Sequence, residues 1–75
     1  MTTLRVVGWK PGLQTVSLVL LVRDEATGSL AEAKRLVDAL LEGEEFDLSF
    51  ENDIKARTFQ QRAEQLGAII GNPRL

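Results

Sequence analysis

Two short stretches of this 75-residue chain gather groups that could do chemistry. Thr27-Gly28-Ser29 sets two hydroxyls around a glycine, as a phosphate cradle or a serine nucleophile with its turn would require. Glu44-Glu45-Phe46-Asp47 supplies three carboxylates for a divalent cation or for acid/base work. Neither completes a site. A serine nucleophile needs an adjacent base, and the chain has no His, Cys or Tyr. The glycine-rich spacing and lysine of a phosphate loop are missing around Gly28. Glu45 and Asp47 alternate onto one exposed strand face, with no recognisable partner motif. So short a chain also leaves little volume for a buried cleft. The expectation is a non-enzymatic protein with no catalytic residue, no metal site and no cofactor.

The totals point to one small globular domain spanning residues 1–75. Apolar residues make up 44% and charged residues 27%, which is enough apolar surface for a core and too much for a disordered chain. Below about 80 residues such a core supplies only a few kcal/mol. With no cysteine, no disulfide or Cys-based zinc site adds to it, and local signals must be good. Cysteine absence fits a reducing compartment. The start MTTLRVVGW has no signal-peptide core, and the run Val16–Val22 is far shorter than the roughly 20 residues of a membrane span. Composition therefore predicts a soluble cytoplasmic protein without membrane contact. A net charge of −2 argues against direct nucleic-acid binding. That charge is uneven. Glu42, Glu44, Glu45, Asp47, Glu51 and Asp53 crowd residues 42–53 with no base among them, leaving the remainder basic.

The elements that would position these groups follow from pattern. Leu4–Trp9 is apolar and β-branched, a strand, and Lys10-Pro11-Gly12-Leu13 has the residues of a type II turn. Residues 13–22, LQTVSLVLLV, fit either a second hairpin arm or a helix with Leu13, Val16, Val19, Leu20 and Arg23 on one face. If helical, Leu20 and Leu21 point different ways, so one of them is core. Gly28 suits the left-handed position ending a helix, and Ser29-Leu30-Ala31-Glu32 is a capping box opening the next: Ser29 accepts from the N–H three residues on and Glu32 reaches back to the Ser29 N–H. On these grounds Thr27-Gly28-Ser29 is a joint between helices. Leu30, Ala33, Leu36, Val37, Leu40 and Leu41 then recur at helical spacing, with Lys34, Arg35 and Asp38 outside. Phe46, Leu48 and Phe50 alternate with Asp47 and Ser49 as a half-buried strand. Asn52 or Asp53 caps a third helix whose stripe is Ala56, Phe59, Ala63 and Leu66, and Gly67 ends it. Residues 68–70, AII, form a last short strand before GNPRL leaves the fold. Trp9, beside the Pro-Gly turn, covers the edge of the core or anchors an interface.

Read in this order, Val22-Arg23, Leu30, Glu32-Ala33-Lys34 and Leu36-Val37 fall without a gap into a register that resembles the C-terminal domain of the bacterial ribosomal stalk protein. QQRAEQLGAII, residues 60–70, is similar to that family's third helix and its entry to the closing strand. The likeness runs over most of residues 4–70 and is weakest through the acidic stretch. It implies a helix over TVSLVLLV and an α+β domain of order β-α-α-β-α-β, a three-stranded antiparallel sheet backed by three helices. It also implies that the face of the first two helices recruits translational GTPases, elongation factors Tu and G among them. Position by position, Val16, Val19, Arg23 and Lys34 match that face in character, and Arg23 and Lys34 would share it. Where the family carries lysines, this chain has Thr15 and Leu20, so Leu20 makes the face less basic and more apolar. The dimerisation segment and alanine-rich hinge of the stalk family have no counterpart in these residues, so the expectation is a stand-alone domain. Two alternatives stand beside this partner-binding module. One is a peptide-binding adaptor of the Clp type, whose fold is similar; the other is a structural homo-oligomer that buries its extra apolar helix positions against a copy of itself.

Overall fold

The computed structural model describes residues 1–71 and shows the α+β order expected from the sequence. Strand β1 spans Thr2–Trp9, helix α1 Thr15–Val22, helix α2 Leu30–Leu41, strand β2 Phe46–Phe50, helix α3 Asp53–Leu66 and strand β3 Ala68–Gly71. The segment LQTVSLVLLV is therefore helical from Thr15 onward, and the hairpin option is overturned. The exit through Asn72 and Pro73 lies outside the described residues.

The sheet is antiparallel in the order β2-β1-β3, so the first strand becomes the central one. Against β2, Leu4 pairs with Leu48 and Val6 with Phe46, which places the alternating apolar residues of both strands on one face. Against β3 the ladder carries an irregularity between Val6 and Gly8. The three helices cover the inward face. Val6, Leu18, Val22, Ala33, Val37, Phe59 and Ala63 are fully buried there, and the rings of Phe50 and Phe59 meet at 5.1 Å with an interplanar angle of 39°. No polar or charged side chain is buried among the described residues. Leu21 joins the core and Leu20 does not, the division that their 100° angular separation requires.

The joints carry the fold's local specification. Gly12 has φ 91° and the Leu13 N–H donates to the Lys10 carbonyl at 3.1 Å, closing the expected Pro-Gly turn. That turn is latched to the end of α3, where Gly67 has φ 111°: the Lys10 N–H reaches the Gly67 carbonyl at 2.8 Å and the Gln14 N–H reaches the Leu66 carbonyl at 2.9 Å. Asn52, rather than Asp53, caps α3, its side chain accepting from the Lys55 N–H at 2.9 Å.

Between α1 and α2 the structure adds what the pattern did not foresee. Residues Arg23–Thr27 form a π-helical turn, closed by the Gly28 N–H donating to the Arg23 carbonyl at 2.8 Å. Gly28 then takes φ 72° and Ser29 caps α2, its hydroxyl accepting from the Glu32 N–H at 3.3 Å. The second half of the capping box is corrected. The Ser29 N–H donates to the Thr27 hydroxyl at 3.2 Å, so Thr27 takes the place assigned to Glu32. The same Thr27 hydroxyl donates to the Ser29 carbonyl at 3.0 Å. Both hydroxyls of Thr27-Gly28-Ser29 are thus engaged with the backbone of the joint.

Candidate functional site

Helix α1 is apolar nearly all round, because residues 15–22 contain Leu and Val at six of eight positions. One side buries Leu18, Leu21 and Val22, and the surplus has nowhere to go but outward. Val16 is 74% exposed, Leu20 is 39% exposed and Val19 packs partly against the core. On α2, residues 30, 34 and 38 follow at four-residue intervals and fall along one side of the helix. Where the two helices meet, Thr15, Val16, Val19 and Leu20 face Leu30, Lys34 and Asp38 across a shallow groove of about 330 Å³. Its floor is apolar. Its rim carries one cation and one anion, with Lys34 Nζ 3.6 Å from Asp38 Oδ2.

Four of the five residues expected on the partner face, Val16, Val19, Leu20 and Lys34, are brought together by this groove. Arg23 is not among its lining residues. It lies in the π turn beyond α1, where its guanidinium Nε donates to Asp24 Oδ1 at 2.8 Å. Leu30 and Asp38 line the groove and were not expected there. Leu30 belongs to the apolar repeat of α2, but it sits at the margin of the buried sector centred on Ala33, Val37 and Leu40 and stays 51% exposed. The spacing Leu30-Lys34-Asp38 was the available signal. Trp9 remains half exposed at the end of β1, opposite the buried Ala68, and is not part of the groove.

The acidic stretch makes a different arrangement on the open side of the sheet. Register pairs Arg5 with Asp47, and the guanidinium donates to the Asp47 carboxylate at 2.8 and 3.3 Å while lying 3.7 Å from Glu45. The hydrogen bond and charge of Arg5 hold the Asp47 carboxyl below its ordinary range, and Asp47 in turn raises Arg5. Lys55 lowers Glu51 in the same way across 3.0 Å. Two of the carboxylates considered for a cation are therefore already paired. Among the described residues no group of three His, Cys, Asp or Glu side chains is placed to hold a metal ion. No helix among them is long and apolar enough to cross a membrane.

Fold and groove together describe a small α+β domain with an apolar groove on its helical hairpin. No protein-family model, curated protein or solved structure matches this chain.

Proposed function

We propose that this chain is a non-catalytic interaction module that takes a protein partner on the face of α1 and α2. The observation that carries the reading is the convergence of exposed Val16, Leu20 and Leu30 into one groove with Lys34 and Asp38 at its rim. Contiguous exposed apolar groups with a charged border are the usual make-up of a protein-binding patch. The resemblance of the sequence to the ribosomal stalk domain supports the same face and names a translational GTPase as the kind of partner it takes. On that reading the module works in the cytoplasm, and the apolar Leu20 shifts its recognition from charge toward apolar contact.

Quantitative capture with three variants tests this. Leu20→Glu and Lys34→Glu alter the groove, whereas Ile54→Glu places the same charge on an exposed position of α3 that does not line it. The reading expects one set of proteins to be lost with both groove variants and kept with Ile54→Glu. Equal recovery by all three, with circular dichroism showing each folded, would refute it.

A further inference from the structure

The rim of the groove has a symmetry that partner binding alone does not require. On α2, Leu30, Lys34, Asp38 and Leu41 fall within a sector about 80° wide. All four are exposed, Leu41 at 38%. The order along the helix is apolar, cation, anion, apolar. Turned end for end, the order is apolar, anion, cation, apolar, which is its own complement.

We propose that a second copy of this chain occupies the face, packed with its α2 antiparallel to the first across a two-fold axis level with residue 36, on the side of the helix that carries Lys34 and Asp38. The inference rests on reading the α1–α2 face as an interaction surface for a protein partner and names what covers it when that partner is not bound. In that register Lys34 lies opposite the second copy's Asp38, and Asp38 opposite the second copy's Lys34. Leu30 falls within one residue of the second copy's Leu41. A two-fold interface must be self-complementary, and a face of one charge sign would repel its own copy. The pair within each chain is loosely held, at 3.6 Å with both side chains more than half exposed, so its members can exchange partners. Val16 and Leu20, beside α2 on α1, are then shielded from water by the second copy. An edge-to-edge pair through β2 is disfavoured because it would bring the acidic residues around that strand, Glu45, Asp47 and Glu51, close to those of the next copy.

The test is sedimentation equilibrium on the whole chain, on Lys34→Glu, on Asp38→Lys, and on an equimolar mixture of the two variants. Concentrations run up to roughly 1 mM, the weak end of specific association. The wild type should form dimers. Each variant alone sets like charges opposite each other at two symmetry-related contacts and should self-associate roughly tenfold more weakly. The mixture should recover dimers, because Glu at 34 now meets Lys at 38 and Asp38 meets Lys34. Both variants lose the pair within the chain alike, and mixing cannot restore that, so recovery reports only the contact between copies. A wild type monomeric throughout, or variants that dimerise as the wild type does, would overturn the inference, as would a mixture no tighter than its components. A monomer that still lost its captured proteins on Leu20→Glu would remove the second copy while leaving the partner-binding reading in place.

Discussion

Gly28 and Gly67 both end helices in left-handed conformations, yet alanine should cost far more at Gly67. At Gly28 the φ is 72° and an added Cβ meets nothing within 4 Å. The cost there is the backbone preference alone, about 1–2 kcal/mol for an L-residue in the left-handed region. At Gly67 the φ is 111° and the added Cβ would stand 3.0 Å from the Leu13 Cα, a backbone atom. Leu13 cannot step aside freely, because the turn containing it is tied to α3 through the Lys10 and Gln14 N–H groups. Backbone strain of about 1–3 kcal/mol is thus joined by displacement of that turn, for a total near 3 kcal/mol or above. A domain of this size holds only about 3–5 kcal/mol in its core, so Gly67→Ala should be largely unfolded at 37 °C. Gly28→Ala should remain folded with its melting temperature lowered by roughly 4–8 °C per kcal/mol. Urea denaturation followed by far-ultraviolet circular dichroism measures both. Equal midpoints, or a larger loss at Gly28, would show that the latch between the Pro-Gly turn and α3 is not what fixes Gly67.

Three further outcomes follow from the same structure. Asn52→Ala should cost about 1 kcal/mol, and Ser29→Ala nearer 0.5 kcal/mol because its bond is longer and Thr27 also holds the joint; paired denaturation curves give the ranking. Phe59→Ala, at a fully buried position beside Phe50, should cost about 3–5 kcal/mol and leave no cooperative transition in the melt. Asp47 and Glu51 have folded-state affinities for protons below those of the unfolded chain, so the unfolded state binds more protons as pH falls. Their contribution is present above the unfolded values of about 4 and is lost as pH falls through the lowered folded values. Melting temperature should therefore drop across that acid window, and Asp47→Asn should flatten part of the drop. A profile identical to the wild type's would remove Arg5–Asp47 as a contributor.

Local order was legible in the sequence wherever one residue type admits one geometry. Phe46, Leu48 and Phe50 could alternate only as a half-buried strand, and Gly28 and Gly67 stand at helix ends because left-handed positions exclude most other residues. The α1 segment was not legible from pattern, since Val and Leu serve a helix or a strand equally; the family resemblance favoured the helix. The π turn at Arg23–Thr27 had no signal, because a one-residue shift in hydrogen-bond register changes no side-chain type. Arg5 with Asp47 and Glu45 needed the β1–β2 register, which pairs residues 42 apart in the chain. Most of the groove could be named in advance from Val16, Val19, Leu20 and Lys34. Leu30 escaped because apolar periodicity does not tell the centre of a buried stripe from its margin, and Arg23 lies outside the groove's lining, in the π turn where its guanidinium is bonded to Asp24.

The central claim, that the α1–α2 groove is the surface this protein uses, is tested most directly by site-specific photo-crosslinking in cells. Val16 and Ile54 are matched for the purpose: both are apolar helix residues, 74% and 73% exposed, and only Val16 lines the groove. A benzophenone side chain introduced at each position in turn reports what lies against it. The account predicts discrete adducts from position 16, whether with a second copy or with another protein, and none from position 54. Equal adducts from both positions, or adducts from position 54 alone, would contradict it.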